Sequence, residues 1–250
     1  MLWAEREGAG RRLVLLHGFT QTGRHWSDLA GDLGVDHEVV RVDAPGHGRS
    51  AGVAADLWTG ADQLGRQGGE ATYVGYSMGG RFCLHLALAR PELVHGLVLV
   101  GATAGIEDPA ERARRTQSDE ALARRLEEAG LERFLADWLA QPLFAGLNES
   151  AGSAAARREN TPAGLAGSLR LAGAGAQQPL WGRVAALSMP VLVMAGEHDP
   201  KFLALGRRLV AAIGPNATSA VVPGAGHAAH LEQPAAFRDA LRSWLAEHDL

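Results

Sequence analysis

The stretch GYSMGG at residues 75–80 constrains the fold of this chain more than any other part of the sequence. It follows a short apolar run at residues 72–74 that is typical of a buried strand, and it precedes a helical pattern at residues 81–89. A serine between two glycines at such a junction indicates a tight, strained turn, because glycine removes side chains that would clash there. The pattern predicts that Ser77 projects from one edge of a sheet; a glycine-rich turn without a chemical role is the alternative.

Segments typical of strands and of helices alternate in the first and last parts of the chain. Runs suited to strands buried on both faces occur at residues 13–16, 39–42, 72–74, 97–100, 191–194 and 220–222. A helical pattern covers residues 26–33, and residues 2–12 are expected to form an edge strand and a turn. This alternation predicts an α/β fold with a mostly parallel sheet flanked by helices.

The alternation stops after about residue 102. The segment that follows is rich in arginine and glutamate, has helical patterns and no convincing strand, and closes with a glycine- and alanine-rich stretch at residues 166–182. We therefore predict a core made of residues 1–102 and 186–250, with a helical cap of residues 103–185 inserted between two strands. The cap is expected to lie on the carboxyl edge of the sheet.

The composition argues against several kinds of partner. A net charge of −4 offers no basic face to nucleic acid or to an anionic membrane, and no apolar run approaches the roughly 20 residues of a membrane span. The single cysteine, Cys83, has no partner for an internal disulfide, and the N-terminal residues lack the pattern of a signal peptide. We expect a cytoplasmic protein that binds a small molecule, uses no cofactor and no metal, and has an oligomeric state that the sequence leaves open.

A serine hydroxyl is a poor nucleophile or base until a histidine takes its proton. In folds with this serine turn, the acid and the histidine follow the serine along the chain. Asp199 comes after the strand-like run at residues 191–194 and His227 comes after the last such run, so both are expected in loops beside Ser77. The competing candidates for the acid and the base are Glu197, His198, His230 and Asp43.

Negative charge that develops on a substrate oxygen is stabilised by two backbone N–H groups. We expect one from Met78, directly after the serine, and the other from Phe19, in the loop that follows residues 13–16. His17 opens this loop and is expected to stabilise it and not to act as a base.

Arg81 stands four residues after Ser77, so the two side chains share a face if a helix begins at the serine. An unpaired guanidinium in an enclosed helix is costly, and no acidic residue lies within one turn of Arg81 in the sequence. Arginine is well suited to a bidentate grip on a carboxylate. We predict that Arg81 holds a substrate carboxylate; an ion pair within the protein, or exposure to solvent, is the alternative.

The chain resembles the α/β-hydrolase superfamily over nearly its whole length. The stretches HGF, DAPGHGRS, GYSMGG, GEHDP and PGAGHAAHLEQP occur in the order expected of that superfamily. GYSMGGR and the cap stretches AERARRTQSD and FLADWLAQPLFAGLN are similar to one branch of it, the 2-succinyl-6-hydroxy-2,4-cyclohexadiene-1-carboxylate synthases of menaquinone biosynthesis. The resemblance implies a lyase that expels pyruvate from 2-succinyl-5-enolpyruvyl-6-hydroxy-3-cyclohexene-1-carboxylate, with a Ser-His-Asp triad that removes a proton.

The resemblance also implies which residues bind this substrate and its three carboxylates. The implied ligands are Tyr76, Arg81, Arg115, Trp138 and Arg158. The third arginine falls in the stretch RREN, where Arg158 fits best and Arg157 is the alternative. From spacing alone, the arginines of residues 112–125 alternate with acids in a way typical of a solvated helix face.

Two other functions stay open. A cofactor-free serine hydrolase of a carboxylate-bearing ester or carbon–carbon bond would use the same triad and the same arginine. A non-catalytic ligand receptor on this fold is the third possibility, and the presence of Ser77, Asp199 and His227 gives it no support. The products separate the three: pyruvate and a cyclohexadiene, a hydrolysed acid, or unaltered ligand.

Overall fold

The computed structural model describes residues 1–148 and 150–250, and the strands in these ranges form one seven-stranded sheet. The strands are β1 (Ala4–Glu7), β2 (Arg11–Leu16), β3 (His37–Val42), β4 (Ala71–Tyr76), β5 (Val94–Val100), β6 (Val191–Gly196) and β7 (Ala217–Val222). Their order is β1-β3-β2-β4-β5-β6-β7. Strand β1 pairs antiparallel to β3 at one edge, and the other neighbouring strands pair in parallel. The predicted α/β fold with a mostly parallel sheet is confirmed, as is the edge strand near the N-terminus.

Helices cover both faces of the sheet and fill the segment between β5 and β6. They are α1 (Ser27–Leu33), α2 (Leu57–Gly68), α3 (Met78–Ala89), α4 (Pro109–Ala129), α5 (Leu131–Leu139), α6 (Ala151–Arg157), α7 (Pro162–Ala172), α8 (Pro200–Ile213), α9 (Ala229–Glu232) and α10 (Pro234–Glu247). Across the described ranges, no helix combines the length and the apolar character that a membrane crossing requires.

The central strands are apolar because both of their faces are covered. All six residues of β4 and all six of β6 are buried. One cluster of buried side chains contains Val14, Phe82 and Leu97, and a second, which contains Leu15, Trp26 and Trp244, has residues that alternate along the same strands. This alternation follows from strand geometry, in which successive side chains point to opposite faces.

Helices α4–α7 form the segment that the sequence predicts to be a cap, and the described residues between β5 and β6 contain no strand. Helices α4 and α7 pack along each other, and a small apolar core unites α4, α5 and α7 through residues such as Leu126, Phe134 and Leu165. Phe19, from the loop after β2, packs against this cluster. The segment is thereby placed over the carboxyl ends of the strands, while the exact domain boundaries at residues 102 and 186 stay a prediction.

Candidate active site

Ser77 occupies the sharp turn between β4 and α3. Its backbone is in the left-handed region (φ +51°, ψ −107°), which is uncommon for a residue other than glycine. The Ser77 N–H donates to the Val100 carbonyl (2.7 Å), which ties the turn to the neighbouring strand. A Cβ on Gly75 would lie 2.6 Å from the Gly79 carbonyl carbon, and one on Gly79 would lie 2.2 Å from the Leu16 oxygen. The two glycines are therefore required by the close approach of the backbones around the serine.

Ser77, His227 and Asp199 form a hydrogen-bonded chain. The distance from Ser77 Oγ to His227 Nε2 is 3.2 Å, and the distance from His227 Nδ1 to Asp199 Oδ2 is 2.7 Å. His227 lies in the loop after β7, and Asp199 caps the N-terminus of α8 by accepting the Phe202 N–H (3.2 Å). With Nδ1–H donated to the buried carboxylate, Nε2 is available to accept the serine proton.

His230 is a poor alternative base because its ring is enclosed. It is wedged between the rings of Trp26 (centroids 4.2 Å apart) and Tyr76 (4.5 Å), and neither ring nitrogen makes a hydrogen bond to the described residues. Burial, with a smaller contribution from the positive charge of Arg157, lowers the pKa of His230 to about 3. His230 is therefore a neutral packing residue.

Asp43 and His17 are both occupied by backbone groups. Asp43 accepts the N–H groups of Gly23 (2.7 Å) and Arg49 (2.8 Å), so its carboxylate organises the turns around it. His17 Nε2 lies 3.0 Å from the Ala44 N–H, and burial lowers the pKa of the ring to about 4. This geometry agrees with the expectation that His17 stabilises its loop.

The expected oxyanion-hole residues, Phe19 and Met78, both line the cavity beside the serine. Within the described ranges, neither backbone N–H donates to another protein group. The loop that carries Phe19 is held by a reciprocal pair of bonds, Gly18 N–H to Gln21 Oε1 (3.2 Å) and Gln21 N–H to the Gly18 carbonyl (3.1 Å). Two pre-positioned N–H groups for which the described residues supply no acceptor are suited to bind a developing oxyanion.

A cavity of about 180 Å³ lies between the triad and the cap helices. Much of its wall is apolar or aromatic and consists of Phe19, Tyr76, Met78, Trp138, Leu143, Phe144, Leu169 and Phe202. Its charged lining residues are Arg81, Arg115, Arg157 and Lys201, and no described Asp or Glu lines it. A cavity with an apolar wall and cations only is suited to a compact ligand that carries more than one negative group.

Arg81 lies in α3, a helix that is buried almost all round, and its own exposed fraction is 8%. Its Nη1 donates to the Gly173 carbonyl (3.2 Å), and no carboxylate of the described residues lies within ion-pair distance. Burial, assisted by the nearby charge of Arg115, lowers the pKa of Arg81 to about 10, and Asp119 acts in the opposite direction. Arg81 is still a cation at neutral pH. The alternative, an ion pair with another described residue, is not formed, and Arg81 lines the cavity.

The other implied ligands, except Arg158, also reach the cavity. Arg115 extends from α4 and pairs with Asp119 (Nε to Oδ1, 2.8 Å). Trp138 in α5 lies with its ring edge-on to Phe19, with centroids 5.2 Å apart. Tyr76 ends β4, and burial raises the pKa of its phenol. These three residues line the cavity, and their role as ligands stays a prediction.

The structure corrects the choice of Arg158. Its side chain is 55% exposed, pairs with Glu132 (Nε to Oε1, 2.8 Å) and does not line the cavity. Arg157 is 2% exposed, lines the cavity and donates from Nη1 to Thr20 Oγ1. Arg157 is the last residue of α6, and consecutive residues of a helix point about 100° apart, so only one of the two arginines can face inward.

Three further residues at this site were not predicted from the sequence. Gln21 and Lys201 line the cavity, and buried Asp119 holds Arg115. The spacing of four between Arg115 and Asp119 was the available signal, since such pairs share a helix face. Lys201 follows the triad acid by two residues, at the start of α8.

Comparisons with known proteins agree with this architecture. The family described as "Alpha/beta hydrolase family" matches residues 13–240. A 2-succinyl-6-hydroxy-2,4-cyclohexadiene-1-carboxylate synthase of Enterobacter sp. (strain 638) is 34% identical over 90% of this chain and 87% of its own length. The enzyme of the same name from Escherichia coli O1:K1 is also 34% identical, over 89% of each chain.

Solved structures give the same result. The structure of MenH from S. aureus superposes with a TM-score of 0.89 at 28% identity and covers 99% of both chains. A thermophilic esterase from Thermogutta terrifontis superposes with a TM-score of 0.83 at 24% identity, over 99% of this chain and 93% of its own, which shows the fold alone. The chain therefore belongs to the alpha/beta hydrolase family and, within it, to the family of the 2-succinyl-6-hydroxy-2,4-cyclohexadiene-1-carboxylate synthases.

Proposed function

We propose that this chain is a carbon–oxygen lyase of menaquinone biosynthesis. It eliminates pyruvate from 2-succinyl-5-enolpyruvyl-6-hydroxy-3-cyclohexene-1-carboxylate and releases 2-succinyl-6-hydroxy-2,4-cyclohexadiene-1-carboxylate. The observation that carries the proposal is the cavity itself, in which a complete triad faces a largely apolar chamber, and among the described residues the charged ones that line it are cations. The names of the relatives at 34% identity support the same reaction.

The reaction needs a base near the ring carbon that bears the succinyl group. The ketone of that group acidifies the C2–H bond, and Ser77 Oγ takes this proton while its own proton moves to His227 Nε2. Asp199 stabilises the imidazolium that forms. The triad thus serves as a proton relay, and no covalent bond to the serine is required.

The electrons released at C2 leave through the ring. Cleavage of the C2–H bond forms C2=C3, the double bond at C3=C4 moves to C4=C5, and the C5–O bond breaks. The leaving enolpyruvate gains a proton at its methylene carbon and becomes pyruvate. Negative charge that builds up on the ketone oxygen would be stabilised by the N–H groups of Phe19 and Met78.

The remaining lining residues account for binding and orientation. The substrate carries three carboxylates, and three arginines of the cavity, Arg81, Arg115 and Arg157, are proposed to bind them. Trp138 and Tyr76 supply flat apolar surfaces for the ring. Binding at several points orients C2–H toward the serine, and such positioning is a large part of catalysis in general.

A cofactor-free serine hydrolase is the second candidate. It is favoured by one observation, that the serine has the geometry of a nucleophile: strained backbone, hydrogen-bonded histidine and adjacent unoccupied N–H groups. The same fold carries an esterase in Thermogutta terrifontis. In that case a carboxylate-bearing ester would acylate Ser77, and water would release the acid.

Pyruvate release distinguishes these candidates. The cyclohexene intermediate is generated in situ by the preceding enzyme of the pathway, and its uncatalysed decay is subtracted. We expect release by the wild type far above this background and its collapse in Ser77→Ala. Release at the background rate, together with hydrolysis of simple aryl esters, would contradict the lyase and support the hydrolase. Recovery of unaltered ligand with neither activity would contradict both.

A further inference from the structure

Two arginines from different parts of the molecule meet at one end of the cavity. Arg81 belongs to α3, which follows the serine turn, and Arg115 belongs to α4, the first helix of the segment between β5 and β6. Both line the same cavity, and the positive charge of Arg115 is one cause of the lowered pKa of Arg81. Among the described carboxylates, Asp119 is the one that contacts this pair, through Arg115, so the three side chains together carry a net charge of +1.

Asp119 uses each of its carboxylate oxygens for a different element. Its side chain is 3% exposed; Oδ1 accepts from Arg115 Nε (2.8 Å), and Oδ2 accepts the N–H of Gly175 (3.0 Å) in the turn after α7. That turn packs closely on the carboxylate, because a Cβ on Gly173 would lie 2.5 Å from Asp119 Oδ2. The Gly173 carbonyl in turn accepts from Arg81 Nη1. The contacts therefore run without interruption from one arginine to the other.

We infer that Asp119 is a positioning residue, which orients Arg115 so that the guanidiniums of Arg81 and Arg115 bind one ligand carboxylate together. The inference rests on the proposed function in so far as the ligand brings a carboxylate into this cavity. The Arg115 side chain is 40% exposed, so without a partner it would sample many rotamers in solvent. Asp119 holds the Nε edge and leaves the terminal nitrogens of Arg115 for the ligand.

This arrangement gives the glycine- and alanine-rich stretch of residues 166–182 a role. The stretch supplies the Gly173 carbonyl that holds Arg81 and the Gly175 N–H that holds Asp119. Glycine is required at both positions. A Cβ on Gly173 would lie 2.2 Å from the Leu169 oxygen, and a Cβ on Gly175 would lie 2.3 Å from the Thr116 backbone nitrogen. The small residues of the stretch are explained by the close packing of this turn between α3 and α4.

A different role for Asp119 makes the opposite prediction. If the carboxylate served only as a counter-charge, its neutralisation would raise the positive potential and strengthen the binding of anions. If it positions Arg115, Asp119→Asn weakens the binding of carboxylates although the cavity becomes more positive. Asparagine has a single acceptor oxygen, so its amide nitrogen would face either Arg115 or the Gly175 N–H, donor against donor.

The test uses two probes of equal shape, 4-oxo-4-phenylbutanoate and 4-oxo-4-phenylbutanamide, titrated into the full-length protein by calorimetry. We expect the wild type to prefer the carboxylate, and Asp119→Asn to reduce this preference about tenfold, the scale of one charged hydrogen bond. The matched control is Glu120→Gln, which removes a charge one residue away, where Glu120 pairs with Arg124 and Arg170 on the outer face. Its preference for the carboxylate over the amide should stay within about twofold of the wild-type preference, because surface ion pairs contribute little.

A double-mutant cycle shows whether Asp119 acts through Arg115. In an Arg115→Ala background, Asp119→Asn should change the preference by less than about twofold, because the group that it orients is gone. Tighter carboxylate binding in Asp119→Asn, or an equal loss in both backgrounds, would overturn the inference. Should Asp119→Asn fail to fold, Arg115→Lys is the second variant: it keeps the charge but has no Nε to hold, so an unchanged preference would overturn the inference as well.

Binding of the probes needs no turnover, which separates this inference from the proposed function. A wild type that prefers the carboxylate but releases no pyruvate would refute the lyase and leave the positioning role intact. A wild type that binds both probes equally would overturn the two-arginine site, whatever the result of the pyruvate assay.

Discussion

The two ends of the cavity are built in different ways. At the triad end, Ser77, Asp199 and His227 follow strands of one sheet and are hydrogen-bonded to each other. At the arginine end, Arg81 and Arg115 extend from helices of two different layers and depend on neighbours for their orientation. The triad residues have little positional freedom because they follow strand ends. The long arginine side chains on the helices can change their orientation when a single hydrogen-bond partner changes. In the proposed function, the strand ends therefore set the chemistry, and helices α3 and α4 set the choice of substrate.

The largest effect is expected at the triad end. Ser77→Ala removes the hydroxyl that relays the substrate proton to His227, and we expect kcat to fall by about 10³-fold, within the range of general base catalysis. KM should change little, because the arginine end is intact. Steady-state pyruvate release provides the measurement. A kcat within tenfold of the wild type would mean that His227 acts on the substrate directly.

At the arginine end, Arg81→Ala is expected to lower kcat/KM by about 10- to 100-fold, the scale of a charged hydrogen bond of about 1.5–3 kcal/mol. The physical reason is that Arg81 is buried and the described residues provide no carboxylate as its partner. Arg124→Ala is the matched control, since Arg124 pairs with Glu120 on the outer face of the cap. Equal kcat/KM in Arg81→Ala and in this control would remove Arg81 from the site.

Arg157 and Arg158, at the C-terminal end of α6, allow the comparison to be made between two adjacent residues. Arg157→Ala is expected to lower kcat/KM about tenfold, because Arg157 lines the cavity. Arg158→Ala should stay within about twofold, because Arg158 is exposed and paired with Glu132 at the surface. The same pyruvate assay measures both. The reverse order of effects would restore Arg158 as the ligand that the resemblance implies.

The smallest expected effect is on the free energy of unfolding in acid, and it comes from His230, which packs against Tyr76 near the triad. Burial holds the pKa of His230 at about 3, against 6.5 for an unperturbed histidine, so below pH 6.5 the unfolded chain binds a proton that the folded chain does not. Stability is therefore lost as the pH falls from 6.5 toward 3. We expect His230→Phe to lose about 1.3 kcal/mol less than the wild type on going from pH 7 to pH 5.5. Urea unfolding at the two pH values measures the difference; equal losses would mean that His230 does not control this acid sensitivity.

The sheet and the chain order of Ser77, Asp199 and His227 were predictable because short local sequence patterns indicate them. Apolar runs mark strands buried on both faces, and the serine turn requires glycines at defined positions. Helix α2 escaped prediction because its glycines disfavour a helix, although Gly60 is needed there: a Cβ would lie 2.4 Å from the Phe82 ring. Tertiary packing overrides the local propensity in that segment.

The arginine end was predictable only in part. The choice between Arg157 and Arg158 depends on the phase of a seven-residue helix, and a one-residue error turns the side chain by about 100°. Asp119 is one of several acids along α4, and the sequence does not say which of them faces inward. Its burial depends on the turn after α7, more than fifty residues later in the chain.

The hydrogen bond from Arg81 to the Gly173 carbonyl joins helix α3 to the cap segment. It therefore limits which cap segments can be exchanged between proteins of this fold. A cap transplanted from an esterase on the same fold would have to present a carbonyl at this place, or it would strand a buried guanidinium without an acceptor. Helix α3 and the turn after α7 must therefore be exchanged together in a chimera. Exchange of the cap alone would leave the buried Arg81 guanidinium without this acceptor.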